Sequence, residues 1–219
     1  EVENGEIVTI SNNIFKSLKP FPKMRARPCI FEYIYFSRPD SILNNKSVYE
    51  YRKKLGNELA KESHVEADVI VPVPDSGIPA AIGYAEKIGK NFEFGLIRNH
   101  YVGRTFIEPT QQIRNLGVRL KHNVNKPLIK GKSVILIDDS IVRGTTSVKI
   151  VKMIYNAGAK EVHLRIACPP IKYPDFYGID MPEKKYLLAA NSSIEEMRKF
   201  LDVKTLAFLS VEGLYKAMG

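Results

Sequence analysis

The feature that most constrains the fold of this chain is a repeated alternation of short apolar strands with helical segments. Ala67–Pro74 reads as a strand followed by a helix that ends near Ile88, and Ser133–Ile137 as a strand followed by a helix over about Thr145–Ala157. Such units pair their strands in parallel and cover both faces of the sheet. The sequence therefore predicts an α/β domain with a mostly parallel sheet flanked by helices. Further strands are predicted at Phe94–Ile97, Val162–Ala167 and Leu206–Leu209, and further helices begin near Ser47 and Ser193.

Length and composition narrow the class of protein. A chain of 219 residues is long enough for one such domain with a small appendage. Its 44% hydrophobic and 26% charged content is ordinary globular usage, which excludes wholesale disorder. No apolar run is long enough to span a bilayer, and the opening residues lack a signal-peptide pattern. We expect a soluble, cytoplasmic protein without a membrane partner, and the first residue, Glu1, suggests a piece of a longer chain.

The chain is expected to divide near residue 45. Residues 1–45 form an N-terminal segment interrupted by prolines, in which Cys29–Phe36 is aromatic enough to be a strand, and residues 46–219 form the main domain. Net charge is +9, and the stretch Arg98–Lys132 concentrates it, with eight basic residues and one acid. A concentrated positive field attracts polyanions. This observation leaves nucleic acid and a small phosphorylated substrate both open.

The segment Val134–Ser147 carries the chemistry. A buried strand delivers Asp138 and Asp139 to its carboxyl end, where ligands collect in parallel sheets, and Gly144, Thr145 and Thr146 open the next helix. Side chains that are adjacent on an extended backbone point to opposite sides, so the two acids are not expected to chelate one ion in the same way. The amides at the start of a helix favour an anion. The arrangement fits a ribose diol about one sugar away from a phosphate.

This segment resembles the 5-phosphoribosyl-1-pyrophosphate (PRPP) motif of type I phosphoribosyltransferases. Other blocks, in the same order and over nearly the whole chain, resemble the glutamine PRPP amidotransferase family. The resemblance implies the type I phosphoribosyltransferase fold. The blocks that carry it are Phe31–Ser41, Pro72–Gly89, Arg98–Arg114 and residues 173–182.

The resemblance also implies roles for individual residues. Asp138 and Asp139 match ribose-binding acids, and Ser76 joins them at positions associated with magnesium and PRPP. Residues 98–125 match a flexible lid that folds over PRPP. The substrate-binding residues implied are Asp75, Ser76, Asp138, Asp139, Ser140, Ile141, Val142, Arg143, Gly144, Thr145 and Thr146, and the catalytic residues implied are Arg98, Tyr101 and Arg104, of which Arg98 stands where many relatives have lysine.

The implied reaction is displacement of pyrophosphate from PRPP by ammonia to give 5-phosphoribosylamine, the first step of purine synthesis. It implies Mg²⁺ as cofactor, purine nucleotides as feedback inhibitors, an N-terminal glutaminase domain in the parent protein, and a homo-oligomer. Because no glutaminase segment precedes the main domain, we expect this chain to use free ammonia at best. Some relatives carry an iron–sulfur cluster; Asp175 occupies one cysteine position here, so no cluster is expected.

Two other functions remain open at this point. The chain could be a salvage phosphoribosyltransferase that attaches a free base. It could also be a non-catalytic PRPP-sensing regulator that binds nucleic acid through its basic stretch, although no separate nucleic-acid-binding element is evident. Turnover with ammonia, with free bases, or salt-dependent binding to DNA or RNA would separate these functions.

Overall fold

The computed structural model describes residues 2–24, 27–99, 122–176, 179 and 181–219. The chain forms two compact units, one that extends to Glu32 and one from Tyr33 to Gly219. The division near residue 45 that we expected from the sequence stays a prediction. All of the site residues discussed below belong to the second unit.

The first unit contains an antiparallel hairpin of β1, Ile7–Ser11, and β2, Ile14–Leu18. Its turn residues Asn12 and Asn13 both have positive φ, of 47° and 61°. A two-residue hairpin turn of type I′ requires positive φ at both positions, and asparagine is among the residues that adopt it most readily. The two asparagines therefore favour a hairpin at this point of the chain.

The strand expected at Cys29–Phe36 is wrong. The segment Glu32–Phe36 is a single turn of π-helix. The aromatic residues favour a strand only where a neighbouring strand pairs with them. Here the guanidinium of Arg52 donates hydrogen bonds to the carbonyls of Tyr33, at 2.9 Å, and Ser37, at 2.7 Å, and so stabilises the coiled path of the chain.

The second unit contains the alternating strands and helices that the sequence predicts. The confirmed pattern includes the N-caps, because the Ser47 hydroxyl accepts a hydrogen bond from the Glu50 amide and Ser193 forms a capping box with Glu196. The elements in order are β3 (Ile42–Leu43), β4 (Lys46–Ser47), α1 (Val48–Ser63), β5 (Val69–Pro72), α2 (Ile78–Ile88), β6 (Leu96–Arg98), β7 (His122–Val124), α3 (Lys126–Ile129), β8 (Ser133–Asp138), α4 (Thr145–Asn156), β9 (Glu161–Ile166), a 3₁₀ turn (Lys184–Tyr186), α5 (Leu188–Asn191), α6 (Ile194–Leu201), β10 (Thr205–Phe208) and α7 (Val211–Met218).

The central sheet has four strands in the order β10–β9–β8–β5, and every pair is parallel. All residues of β5 and β8 are buried, which explains why both segments read as continuous apolar runs. The expected parallel α/β sheet is therefore confirmed. The carboxyl ends of β5 and β8 lie side by side, with Pro72 opposite Ile137.

Helices α1 and α2 approach each other closely at two glycines. A Cβ on Gly56 would lie 1.8 Å from the carbonyl oxygen of Ala80, and a Cβ on Gly83 would lie 1.9 Å from that of Lys53. Only glycine fits at either position. This close contact fixes α2, and with it the turn between β5 and α2 that forms part of the site.

Some expectations fall outside the sheet or outside the described residues. The strand expected at Phe94–Ile97 is present as β6, displaced by one to two residues, and it pairs antiparallel with β7. The sequence of residues 109–120 could also form a helix, and this segment lies outside the described residues. In the described ranges, no helix is both long and apolar enough to cross a membrane.

Candidate active site

Two loops meet at the carboxyl edge of the sheet, one after β5 and one after β8. The Ser76 hydroxyl donates a hydrogen bond of 2.6 Å to Oδ1 of Asp139, and the Ser140 hydroxyl donates one of 2.5 Å to Oδ2. Both carboxylate oxygens of Asp139 are therefore held in place. The structure brings together the serine and the acids that the sequence assigned to one site.

The turn after β5 requires glycine at Gly77. A Cβ there would lie 2.6 Å from the carbonyl oxygen of Ile137 and 2.8 Å from that of Val73, both of them backbone atoms. The Gly77 amide donates to the Val73 carbonyl at 2.9 Å, and the peptide bond between Pro74 and Asp75 is cis. Because the turn lies directly on β8, it delivers Ser76 to Asp139.

Asp138 is the last residue of β8 and is buried. Its Oδ1 accepts a hydrogen bond of 2.9 Å from the Asp139 amide. Burial, followed by repulsion from the Asp139 carboxylate, raises the pKa of Asp138 well above its ordinary value. The expectation that the two carboxyl groups point to opposite sides stays a prediction; β8 ends at Asp138, and the two groups are close enough to interact.

The loop from Ser140 to Gly144 is anchored at both ends. The side chain of Ile141 is buried, and the Val142 carbonyl accepts a hydrogen bond of 2.9 Å from the Leu188 amide. The guanidinium of Arg143, which is exposed, lies 5.7 Å from the centre of the Tyr186 ring. The loop is therefore held by two side chains and by the Val142 carbonyl.

Gly144 is the N-cap of α4 and meets two requirements at once. Its φ is +75°, and a Cβ would lie 2.7 Å from Cδ2 of Leu188 and 3.1 Å from Cε1 of Phe200. No side chain caps this helix, and Thr145 and Thr146 are exposed. The first amides of a helix have no intrahelical acceptor, so together with the two hydroxyls they form a set of donors suited to an anion.

Arg98 ends β6, and its Nη1 forms an ion pair with Oδ2 of Asp75. The pair lies one residue from Ser76, so Arg98 is at the same edge of the sheet as the acids. Its Nε is buried and has no hydrogen-bond partner in the described part of the protein. The other two residues predicted to be catalytic, Tyr101 and Arg104, lie outside the described residues.

Two further residues lie near the site, and of these Arg52 was not found by sequence reasoning. Arg52 is buried; desolvation lowers its pKa, while the charge of Asp139 acts in the opposite direction. Cys168, two residues after the end of β9, is also buried, and desolvation followed by the Asp139 charge raises its pKa to about 12. The sequence held one signal for the burial of Arg52: it lies on the apolar side of the helix, between Val48 and Leu55.

The oxygens at this edge suit a hard cation. Asp138, Asp139 and Ser76 supply carboxylate and hydroxyl oxygens, the ligand type that Mg²⁺ prefers. In the described ranges, no group of three or more His, Cys, Asp and Glu side chains could hold a metal. Oxygens of this kind could supply a few of the ligands of a Mg²⁺ ion that keeps several waters.

Comparisons with known proteins define the class. A family model described as phosphoribosyl transferase domain matches residues 41–176, a span that runs from before α1 to beyond β9 and includes both loops of the site. The chain belongs to the phosphoribosyl transferase domain family.

Several similar proteins within this family are amidophosphoribosyltransferases. The chain is 57% identical, over its whole length, to the amidophosphoribosyltransferase of Rhizobium etli, covering 45% of that protein, and 52% identical to that of Bacillus subtilis, covering 46%. It also matches the solved structure of the glutamine PRPP amidotransferase from B. subtilis complexed with ADP and GMP, with a TM-score of 0.85, over 100% of this chain and 48% of that one. The resemblance to that family is confirmed, and the chain spans less than half the length of these relatives.

Proposed function

We propose that this chain is the phosphoribosyltransferase part of an amidophosphoribosyltransferase and transfers the phosphoribosyl group of PRPP to ammonia. The observation that carries the proposal is the site itself: Asp139, fixed by Ser76 and Ser140, lies one short loop away from the amide-lined start of α4. Carboxylates repel phosphates and accept hydrogen bonds from sugar hydroxyls. A phosphorylated sugar carries both kinds of group, its hydroxyls for the carboxylate and its phosphate for the amides.

In the proposed reaction, the nitrogen of ammonia forms a bond to the anomeric carbon while the bond from that carbon to the pyrophosphate oxygen breaks. Pyrophosphate leaves with the bonding electrons, and the ammonium product loses a proton. The ring gains positive charge in the transition state, and the leaving group gains negative charge. Fixed charges that stabilise both are expected to dominate catalysis.

The acids hold the sugar in this scheme. Asp138 and Asp139 accept hydrogen bonds from the ribose hydroxyls and place their negative charge near the developing oxocarbenium ring. The loop from Ser140 to Thr146 binds the 5′-phosphate with its amides and with the hydroxyls of Thr145 and Thr146. The sugar is then held at both ends. Because its anomeric carbon is fixed in place, less entropy has to be lost when ammonia attacks.

The basic residues act on the leaving group. Arg98 is positioned at the β5 turn, where a pyrophosphate would meet Ser76. By resemblance, Arg104 pairs with phosphoryl oxygens and Tyr101 helps to exclude water. Asp139, Asp138 and Ser76 are the residues proposed to hold Mg²⁺, which when bound would neutralise charge on the pyrophosphate oxygens.

The direct test is turnover by the purified chain. Incubation with PRPP, magnesium and ammonium at mildly alkaline pH should release pyrophosphate in proportion to free ammonia. Parallel incubations replace ammonia with adenine, guanine, hypoxanthine or uracil. Turnover with a base and none with ammonia would overturn the proposal in favour of salvage, and salt-sensitive binding to duplex DNA without turnover would favour a regulator.

A matched pair of variants controls the assay. Asp139→Asn should lower kcat/KM for PRPP by at least tenfold, which corresponds to about 1.4 kcal/mol. Asp40→Asn removes the same charge from an exposed pair with Arg38, outside the site, and should leave the rate unchanged. The relative complexed with ADP and GMP supports one extension, that purine nucleotides inhibit this chain, which the same assay measures.

A further inference from the structure

The ion pair between Arg98 and Asp75 lies at the point where the proposed function requires a pyrophosphate. Asp75 begins the turn that carries Ser76, and Ser76 is bonded to Asp139. The arginine that would meet the leaving group is therefore already occupied by a carboxylate of the protein. This arrangement assigns Asp75 a different role from the direct substrate contact that the resemblance implies.

The pairing leaves part of the arginine unused. The contact joins Nη1 to a single carboxylate oxygen, Oδ2 of Asp75, and the buried Nε has no hydrogen-bond partner in the described residues. A guanidinium presents its two Nη groups as a fork that matches two oxygens of one phosphoryl group. A phosphate group on this fork competes with Asp75 for Nη1, the donor that makes the present contact.

Asp75 and Arg98 are both only partly shielded from solvent. Their side chains are 46% and 33% exposed. Ion pairs of this kind contribute little to an equilibrium, usually less than tenfold. Asp75 can therefore be displaced by a ligand with more negative charge, and it reduces the affinity for that ligand by a factor of the same size.

Resting on the proposed function, we propose that Asp75 is an internal competitor for the pyrophosphate subsite. In the free protein its carboxylate occupies Arg98, and the pyrophosphate group of the substrate displaces it. After the reaction Asp75 returns to Arg98 and favours release of the free pyrophosphate product. Asp75 thus tunes the affinity of Arg98 for polyphosphates without itself binding the substrate.

The test is a double-mutant cycle on binding of magnesium pyrophosphate, measured by isothermal titration calorimetry. Asp75→Asn should tighten binding about two- to fivefold, because the amide cannot hold the guanidinium as an anion does. Arg98→Met should weaken binding. The double variant Asp75→Asn with Arg98→Met should bind like Arg98→Met alone, because Asp75 acts only through Arg98.

Controls separate this effect from general charge and from folding. Asp40→Asn changes net charge by the same amount in another exposed Arg–Asp pair and should leave binding unchanged. Circular dichroism establishes that each variant is folded, and Asp75→Ser replaces Asp75→Asn if the latter does not fold. Unchanged or weaker binding by the Asp75 variant, or an equal gain in the Arg98→Met background, would overturn the proposal. Failure of the proposed function would appear separately, as absence of turnover with PRPP and ammonia.

Discussion

The hydroxyl of Ser76 donates a hydrogen bond of 2.6 Å to Asp139, although the two residues are 63 positions apart in the sequence. They meet because β5 and β8 are neighbouring parallel strands whose carboxyl ends lie at the same edge, with Pro72 opposite Ile137. Ser140 donates to the other oxygen of the same carboxylate. The position of Asp139 is therefore set by two loops before any ligand binds.

Replacing Ser76 with alanine tests whether this fixation matters for turnover. Loss of a hydrogen bond to a charged group leaves Asp139 free to rotate, and we expect kcat/KM for PRPP to fall roughly tenfold, about 1.4 kcal/mol. Steady-state kinetics with free ammonia measure the effect. Ser210→Ala removes a hydroxyl that caps α7, at 2.8 Å from the Gly213 amide, and should lower Tm but not kcat/KM. Wild-type kinetics in the Ser76→Ala variant would show that turnover does not need the hydrogen bond between Ser76 and Asp139.

Replacing Gly144 with alanine tests the anion-binding loop. The residue has a φ of +75°, and its Cβ would meet Leu188 and Phe200. We expect a lower free energy of unfolding and a loss of PRPP turnover, because relief of these contacts displaces the start of α4. Gly89→Ala is the matched control, since Gly89 has a φ of +66° with nothing within 4 Å of the added Cβ.

The two glycine variants share backbone strain and differ in steric contact. Strain alone should cost Gly89→Ala about 1 kcal/mol in urea denaturation, with turnover unchanged. Gly144→Ala should lose more stability and, in addition, most of its turnover. Equal losses of stability with full activity in both variants would show that the contacts with Leu188 and Phe200 are absorbed by small side-chain movements.

Much of the parallel sheet could be predicted from the sequence. β5 and β8 are buried on both faces, so their apolar character is continuous and their turn residues are distinct. The order of an apolar run, two acids, a glycine and two threonines also placed the acids correctly at the end of β8. The local sequence was sufficient for these features because each depends on the residue types within one strand and the turn that follows it.

The remainder depended on contacts between distant segments. Aromatic composition suggested a strand at Cys29–Phe36, but the hydrogen bonds from Arg52 to the carbonyls of Tyr33 and Ser37 favour a helical turn. The residues around Tyr33 in the sequence do not indicate that Arg52 will bind there. The ion pair of Arg98 with Asp75 was equally inaccessible. The distribution of charge along the sequence shows that Arg98 belongs to a basic stretch, but it does not indicate which acidic residue forms the ion pair.

The two cysteines should differ strongly in reactivity. Burial raises the pKa of Cys168 to about 12, whereas Cys29 is exposed. At about pH 8 only roughly one Cys168 thiol in ten thousand would be ionised, and the thiolate is the reactive form. Iodoacetamide followed by peptide mass spectrometry should show rapid labelling of Cys29 and labelling of Cys168 only after denaturation. Comparable labelling rates in the native protein would contradict the burial of Cys168.

Asp138→Asn should stabilise the ligand-free protein while it impairs turnover. Burial and the neighbouring Asp139 raise the pKa of the Asp138 carboxyl in the folded state, so folding favours its neutral form. Below the unfolded pKa, near 3.8, the carboxyl is neutral in both states and contributes no penalty. As the pH rises above that value, the unfolded chain releases the proton more readily than the folded one, and the free energy of unfolding falls. Asparagine is neutral at every pH and avoids this loss.

The stability advantage of Asp138→Asn over the wild type should therefore be small at acid pH and grow towards neutral pH. Thermal unfolding of both proteins across this range measures it, and Asp40→Asn, an exposed acid outside the site, should show no such trend. Turnover with PRPP and ammonia should fall by at least tenfold in Asp138→Asn, about 1.4 kcal/mol, because the amide cannot stabilise positive charge on the ring. An Asp138→Asn variant that is less stable than the wild type at neutral pH would mean that the fold stabilises ionised Asp138. In that case Asp138 would not lower the stability of the protein, and its presence would need no functional explanation.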